Sequence, residues 1–454
     1  MKEMTAPIDA PLVDKASGGK KNRLLFMFAP FVVTLLLLLV PVPEGPLAAP
    51  KFKLAAESFK WAVSGFGNST VWLIFGAFMF AAGYDKTQFG RRLALILVKH
   101  LGRRSLTLGY AITFADLLLA PFTPSNTARS GGTIFPIIAN LPPLYGSKPN
   151  DPSARKIGSY LMWVAITAAC ITSSMFLSAL APNLLALALV KSTVGINISW
   201  GNWFIGFLPV GILLILTMPL LAYIFYPPEV KFNDEVPRWA SAELVKLGRL
   251  TRNEILLLVF VCCALAMWIF AAAVIEPALA ALLIIGLMLW TGVLEWNDIT
   301  SNKPAWNTFF WFATLVALAN GLSTTGFIAW LGKEGGILMS GVSPTAATIL
   351  IVVAFYLLHY LFASATAHTT ALLPAALTIA STIPGMNMQV FCMLMVTSLG
   401  VMGIITPYGT GPSPIYYGSG YLPTKDYWRL GTIFGAIFLA ALLFIGYPWM
   451  AMMF

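Results

Sequence analysis

Apolar runs long enough to cross a bilayer alternate with short polar breaks along most of this chain. A spanning helix needs ~20 apolar residues. That pattern predicts spans over residues 24–42, 69–84, 157–190, 203–226, 253–273, 275–294, 306–331, 388–418 and 431–453. Two stretches depart from it. Residues 106–119 and 133–144 are apolar arms too short to span, parted by Ala120-Pro121-Phe122-Thr123-Pro124-Ser125-Asn126-Thr127-Ala128-Arg129-Ser130-Gly131-Gly132. Such a pair predicts a re-entrant hairpin, because irregular backbone survives at membrane depth only inside protein or beside a watery cavity. Pro124 disfavours helix through Thr123, so the second arm starts near Ser125 or Asn126. Its free N–H groups and positive dipole end then face the tip, ready for an anion such as a carboxylate.

The motif occurs twice. Phe362-Ala363-Ser364-Ala365-Thr366-Ala367-His368-Thr369-Thr370 repeats Ser-x-Thr-Ala, and an ionisable residue follows each Ser by four positions: Arg129 and His368. Upstream, Thr70, Ala81, Gly83, Thr87, Phe89 and Leu93 match Thr308, Ala319, Gly321, Thr325, Phe327 and Leu331, each pair 238 residues apart. This register predicts an internal duplication, the usual architecture of a secondary transporter. After each hairpin a long apolar run is cut by helix breakers: Ala179-Leu180-Ala181-Pro182-Asn183 in the first half, Thr406-Pro407-Tyr408-Gly409-Thr410-Gly411-Pro412-Ser413-Pro414 in the second. Proline frees a carbonyl, so both runs are expected to be discontinuous helices. Two tips and two breaks would then meet at one site.

Composition agrees with a membrane protein. At 58% hydrophobic and 10% charged residues, the chain is not soluble. Its formal charge of +10 fits loop bias better than nucleic acid, because most of its 28 Lys and Arg fall in segments that the span layout puts on one face. The positive-inside rule makes that face cytoplasmic. The first hairpin then enters from the cytoplasm and the second from outside, so the repeats are inverted. The N-terminus is expected in the cytoplasm and the C-terminus outside. Cys170, Cys262, Cys263 and Cys392 have no C-x-x-C spacing and read as small core residues. No cofactor is implied.

With both tips and both breaks located, the chain resembles the divalent anion:sodium symporter family from Leu24 onward. The match is closest to its carboxylate-exchanger branch, which includes 2-oxoglutarate/malate translocators and citrate/succinate and tartrate/succinate antiporters. It rests on residues 123–132, 362–374 and 406–422, the last with Tyr416-Tyr417-Gly418-Ser419-Gly420-Tyr421. The resemblance implies an all-α polytopic fold, a homodimer in the bilayer, and a transport domain moving like an elevator against a scaffold. On that pattern residues 1–23 are a cytoplasmic tail and 24–104 and 227–344 are scaffold. Residues 105–226 (hairpin 105–144) and 345–454 (hairpin 345–383) form the transport domain. The scaffold is two spans short before Ser69. A second departure is Ala365, where sodium-coupled relatives carry Asn in Ser-Asn-Thr.

The expected function is exchange of di- or tricarboxylates across a bacterial inner membrane, without sodium. The alternatives are sodium-coupled symport, an ion channel and, remotely, an intramembrane serine hydrolase built on Ser364 and His368. Candidate substrate-binding residues are Ser125, Asn126, Thr127, Ser364 and Thr366 on the tips, and Pro182, Asn183, Thr410, Gly411, Pro412 and Ser413 at the breaks. Arg129 and His368 are expected to compensate substrate charge, with an Arg129–Asp116 ion pair as the competing role. Ser125, Asn126 and Ala181 could retain a sodium site.

Overall fold

The computed structural model describes residues 54–454 apart from 272–273, 325, 327–329, 331–333, 338 and 340. The tail and the span at 24–42 lie outside the described residues. The named elements are all helical. Among the described residues seven helices are long and apolar enough to cross a membrane, and an eighth forms if the pair Phe59–Gly67 and Ser69–Thr87, bent by 46°, counts as one span. Burial sorts them. Gly158–Met175 is wholly inside the protein and Met388–Ile405 is 89% buried, whereas Arg252–Phe270 is only 33% buried and turns most of its surface outward. The two innermost helices are those that lead into the helix breaks.

Local chemistry sets the element ends. The Asn68 side chain accepts from the Thr70 N–H and starts Ser69–Thr87. Thr251 and Glu254 form a capping box for Arg252–Phe270. Ser343 caps Pro344–Leu358 with proline at its first turn, and Asn387 caps Met388–Val401. Gly195 closes Ala181–Val194 at φ 72°, a left-handed conformation that glycine adopts without a Cβ clash.

Residues 41–68 are expected from sequence to be an outside loop. The described part is instead helical, over Leu54–Val63 and Ser64–Gly67. Its aromatic residues supply the reason. Phe66 packs edge-on against Phe309 and Phe310, and its carbonyl accepts from the Trp72 indole. Gly65 lies so close to Ala313 that a Cβ there would stand 1.7 Å from the Ala313 carbonyl oxygen. Ser69–Thr87 and Lys303–Thr324 pack together through Trp72–Phe309 and Phe75–Trp306 ring contacts of 4.8 and 4.7 Å. At the far end of this pair Lys86 bonds Glu295 and Asp298.

The basic segment after this span is the amphipathic helix Phe89–Leu101, set off by Gln88 at φ 57°. Arg92 is its anchor. It pairs with Glu254 at 2.6 Å and donates to the Leu247, Gly248 and Arg249 carbonyls. Arg91 binds Glu243 on the neighbouring helix Glu235–Leu247. Hydrogen bonding from Lys246, helped by Arg91, holds the Glu243 carboxyl below its ordinary range. Cys170 and Cys392 are buried as expected, but Cys262 and Cys263 are exposed on the outward helix Arg252–Phe270, which corrects their assignment to the core.

Candidate functional site

Both predicted hairpins are helix–turn–helix pairs that turn where the sequence breaks, and their first arms, Ser105–Phe122 and Pro344–Leu361, are longer than expected, at 18 residues each enough to cross a membrane. Ser105–Leu119 ends in a tight turn at Ala120–Phe122, and Thr123 is extended. The second arm begins as a wide turn over Thr127–Ile134 and continues through Phe135–Ile138. Ser125 Oγ accepts from the Ala128 N–H at 3.2 Å. In the other hairpin Pro344–Leu358 ends at His359–Leu361 and Ala365–Ser381 follows. Ser364 Oγ caps it by accepting from the Ala367 N–H.

Both discontinuous helices form as well. Gly158–Met175 gives way to a turn at Leu177–Ala179 before Ala181–Val194, and Met388–Val401 runs through Met402–Ile405 to a break ahead of Ser413–Gly418. Side chains hold tips and breaks to one another. Ser178 Oγ donates to the Pro121 carbonyl, and Asn126 Nδ2 donates to Thr410 Oγ1 at 2.6 Å. Tyr416 OH donates to the Ser130 carbonyl at 2.9 Å.

Between them lies a cavity of about 700 Å³. Of the sequence candidates, Ser125, Asn126, Thr127, Ser364, Thr366, Pro182, Thr410, Gly411 and Ala181 line it. Thr127 and Thr366 are the tip hydroxyls that make no hydrogen bond among the described residues, one on each hairpin. Replacing either with valine keeps the shape and removes the hydroxyl. A hydrogen bond to a charged group is worth about 1.5–3 kcal/mol, so carboxylate affinity is expected to fall roughly ten- to hundredfold in each variant. Calorimetry on the purified variants checks this, and unchanged affinity in both would discard the hydroxyls as contacts.

Four candidates sit elsewhere, and a fifth lines no part of the cavity. Asn183 Nδ2 donates to the Ser173 and Phe176 carbonyls, closing the end that the break leaves open. Ser413 is buried in the helix start behind Gly411, and Pro412 does not line the cavity. Arg129 is fully buried. It pairs with Asp116 at 3.2 Å and donates to the Thr123 and Ala179 carbonyls and the Thr172 and Ser173 hydroxyls. The ion pair is therefore its observed role. His368 is enclosed by Phe355, Phe362 and His359, with ring centroids 4.2, 5.1 and 5.0 Å away. Neither of its ring nitrogens has a partner, so it forms no bond to Ser364 such as a nucleophile–base pair requires.

The unforeseen contributions are His359 and the facing helix. His359 Nε2 donates to the Gly409 carbonyl at 2.7 Å, so this imidazole reaches the second break. Asn307, Thr308 and Trp311 on Lys303–Thr324, with Phe78 on the helix packed against it, complete the cavity wall. Thr308 had one signal in the sequence, its register with Thr70.

Apolar helices around a cavity walled by two tips and two interrupted helices define an integral membrane transporter. The chain belongs to the family described as the sodium:sulfate symporter transmembrane region, which matches residues 22–454. The resemblance drawn from the tips therefore holds. Relatives include the L-tartrate/succinate antiporters of Shigella sonnei (strain Ss046) and Escherichia coli (strain K12), each 55% identical over 404 residues, or 89% of this chain and 83% of theirs. Two solved structures share the fold. The YdaH transporter of Alcanivorax borkumensis has a TM-score of 0.61 at 12% identity, covering 95% of this chain and 99% of that one. MtrF of Neisseria gonorrhoeae has a TM-score of 0.56 at 14% identity, covering 94% of each.

Proposed function

We propose that this chain exchanges four-carbon dicarboxylates, L-tartrate against succinate, across a bacterial inner membrane without sodium. The observation that carries this reading is the convergence of both tips and both breaks on one cavity, with an unpaired threonine hydroxyl on each tip. The substrate class comes from the relatives. The cavity falls within the roughly 300–1,000 Å³ of small-molecule sites.

A dicarboxylate brings two negative charges, and leaving them unpaired at membrane depth would cost several kcal/mol. The helix starts beyond Ser125 and Ser364 direct N–H groups at them, each worth about 0.3–2 kcal/mol. Arg129, neutralised by Asp116, adds no net charge behind the first tip. Its Nη1 holds the carbonyls of tip and break, Thr123 and Ala179, where a cation would otherwise draw them together. At the second break the His359 imidazole holds Gly409, and Ala365 offers no side-chain oxygen. These contacts support closure of the site around substrate without sodium.

In this reading the two halves are inverted repeats, and residues 105–226 and 345–454 move together as an elevator against 24–104 and 227–344. The assembly is a homodimer, with the N-terminus cytoplasmic and the C-terminus outside. Return of the carrier needs a second carboxylate. Uptake of labelled tartrate into proteoliposomes is expected to require internal succinate and to be unchanged when sodium is replaced by choline. Robust uptake into empty vesicles along a sodium gradient would replace the exchanger with a symporter.

A further inference from the structure

L-tartrate and succinate have the same four-carbon dicarboxylate frame and differ only by two hydroxyls. A carrier that takes both must hold the common carboxylates firmly and meet the hydroxyls with groups that tolerate their absence. The cavity's polar side chains divide along these lines.

Most of those on the tips and breaks are already engaged. Ser125 and Ser364 cap their helices. Asn126 and Thr410 bond each other, and Thr370 Oγ1 donates to the Thr366 carbonyl. Thr127 and Thr366 stand at the helix starts, where carboxylates dock. Asn307 and Thr308 remain, consecutive on Lys303–Thr324 and lining the cavity from a helix that belongs to neither tip nor break. Among the described residues neither side chain makes a hydrogen bond.

We propose that Asn307 and Thr308 form the hydroxyl-reading wall of the site, recognising the 2- and 3-hydroxyls of hydroxylated dicarboxylates. This rests on the exchanger reading above. The chemistry suits a secondary alcohol. Asn307 offers an acceptor and two donors, and Thr308 offers one donor and two lone pairs, so each can serve a group that both donates and accepts. Asn307 is exposed to the cavity and Thr308 half-exposed. When succinate occupies the site, water can therefore take the place of the missing hydroxyls, and neither group is stranded. A wall of this kind favours tartrate modestly without excluding succinate. A buried polar pair would instead reject succinate strongly.

The test is the ratio of dissociation constants for succinate, L-malate and L-tartrate, with two, one and no hydroxyls missing. It is measured by calorimetry on the purified protein, and exchange of the same three acids is followed in proteoliposomes. Asn307→Ala and Thr308→Val are each expected to shift the tartrate-to-succinate ratio against tartrate by about three- to tenfold, with malate between. Thr308→Ser, which keeps the hydroxyl, is expected to retain the wild-type ratio. A general loss of packing would weaken all three acids in step and leave the ratio unchanged, which would overturn the proposal. A shifted ratio in a protein that exchanges none of the acids would overturn the exchanger reading and uphold the wall. Exchange with an unshifted ratio would do the reverse. A wild-type protein that binds none of them would overturn both.

Discussion

Replacing Gly411 with alanine is expected to abolish exchange while leaving the protein folded. A Cβ at this position would stand 1.7 Å from Thr127 Oγ1, 3.1 Å from Thr127 Cβ and 3.5 Å from Asn126 Oδ1. Atoms do not tolerate the first of these distances. The cheapest relief is rotation of the Thr127 side chain, since its hydroxyl is a free end while the backbone of tip and break is fixed by the Asn126–Thr410 bond. Threonine is β-branched and has few χ1 positions, so the hydroxyl would leave its present place on the cavity wall. The methyl group would also occupy part of the space between first tip and second break. A loss of at least about 100-fold in exchange follows if Thr127 and its helix start both lose their grip, at up to about 3 kcal/mol for the charged hydrogen bond alone. Thermal unfolding is expected to stay close to wild type. A Gly411→Ala protein exchanging at the normal rate would show that the contact between break and tip is not needed for transport.

The second large effect concerns stability. Asp116→Ala is expected to destabilise the protein by about 3–5 kcal/mol, because it strands the Arg129 guanidinium inside the transport machinery. Both side chains are essentially inaccessible, so water cannot replace the lost carboxylate. Asp116 also accepts from Thr172, which would be left without that partner. Asp116→Leu combined with Arg129→Met removes both charges, and much of the stability is expected to return. Exchange is not expected to return with it, since the Thr123 and Ala179 carbonyls would lose the donor that joins them. Unfolding midpoints of the single and double variants in detergent decide the matter. A single variant as stable as wild type would mean that the pair contributes little to the fold.

The legible parts of the site were those where proline, glycine and small polar residues interrupt an apolar run. Backbone at membrane depth must bond to something, so an interruption there has few structural solutions, and the residues around Pro124 and Pro182 showed the tips and breaks directly. The possible partnership of Arg129 with Asp116 was visible too, because a buried cation needs a buried anion. Asn183 was harder. From sequence it is a polar residue beside a break, and only the fold shows that it turns back to close the helix before the break. Asn307 and Thr308 gave almost no signal, since one polar side chain per turn is ordinary at the start of a spanning helix. What makes them part of the cavity is the packing of Lys303–Thr324 against Ser69–Thr87 and Ala181–Val194, and no local pattern encodes that. The helical character of residues 54–67 was hidden for a similar reason, as its stabilising rings belong to a helix in the other half of the chain.

The enclosure of Gly158–Met175 has a consequence for biosynthesis. This helix bonds forward as well as backward along the chain. Tyr160 donates to the Pro219 carbonyl, Ser174 Oγ accepts from the Val401 N–H, and Trp163 packs edge-on against Tyr427. On a ribosome adding about 5–20 residues per second, the partners beyond residue 388 emerge roughly 10–40 s after the helix itself. Throughout that interval the face that later meets residues beyond 388 has only lipid, water or an insertase to meet. The nascent half-protein is thus obliged to wait in an unfinished state, and a ribosome stalled before the second half would leave a natural substrate for membrane proteases.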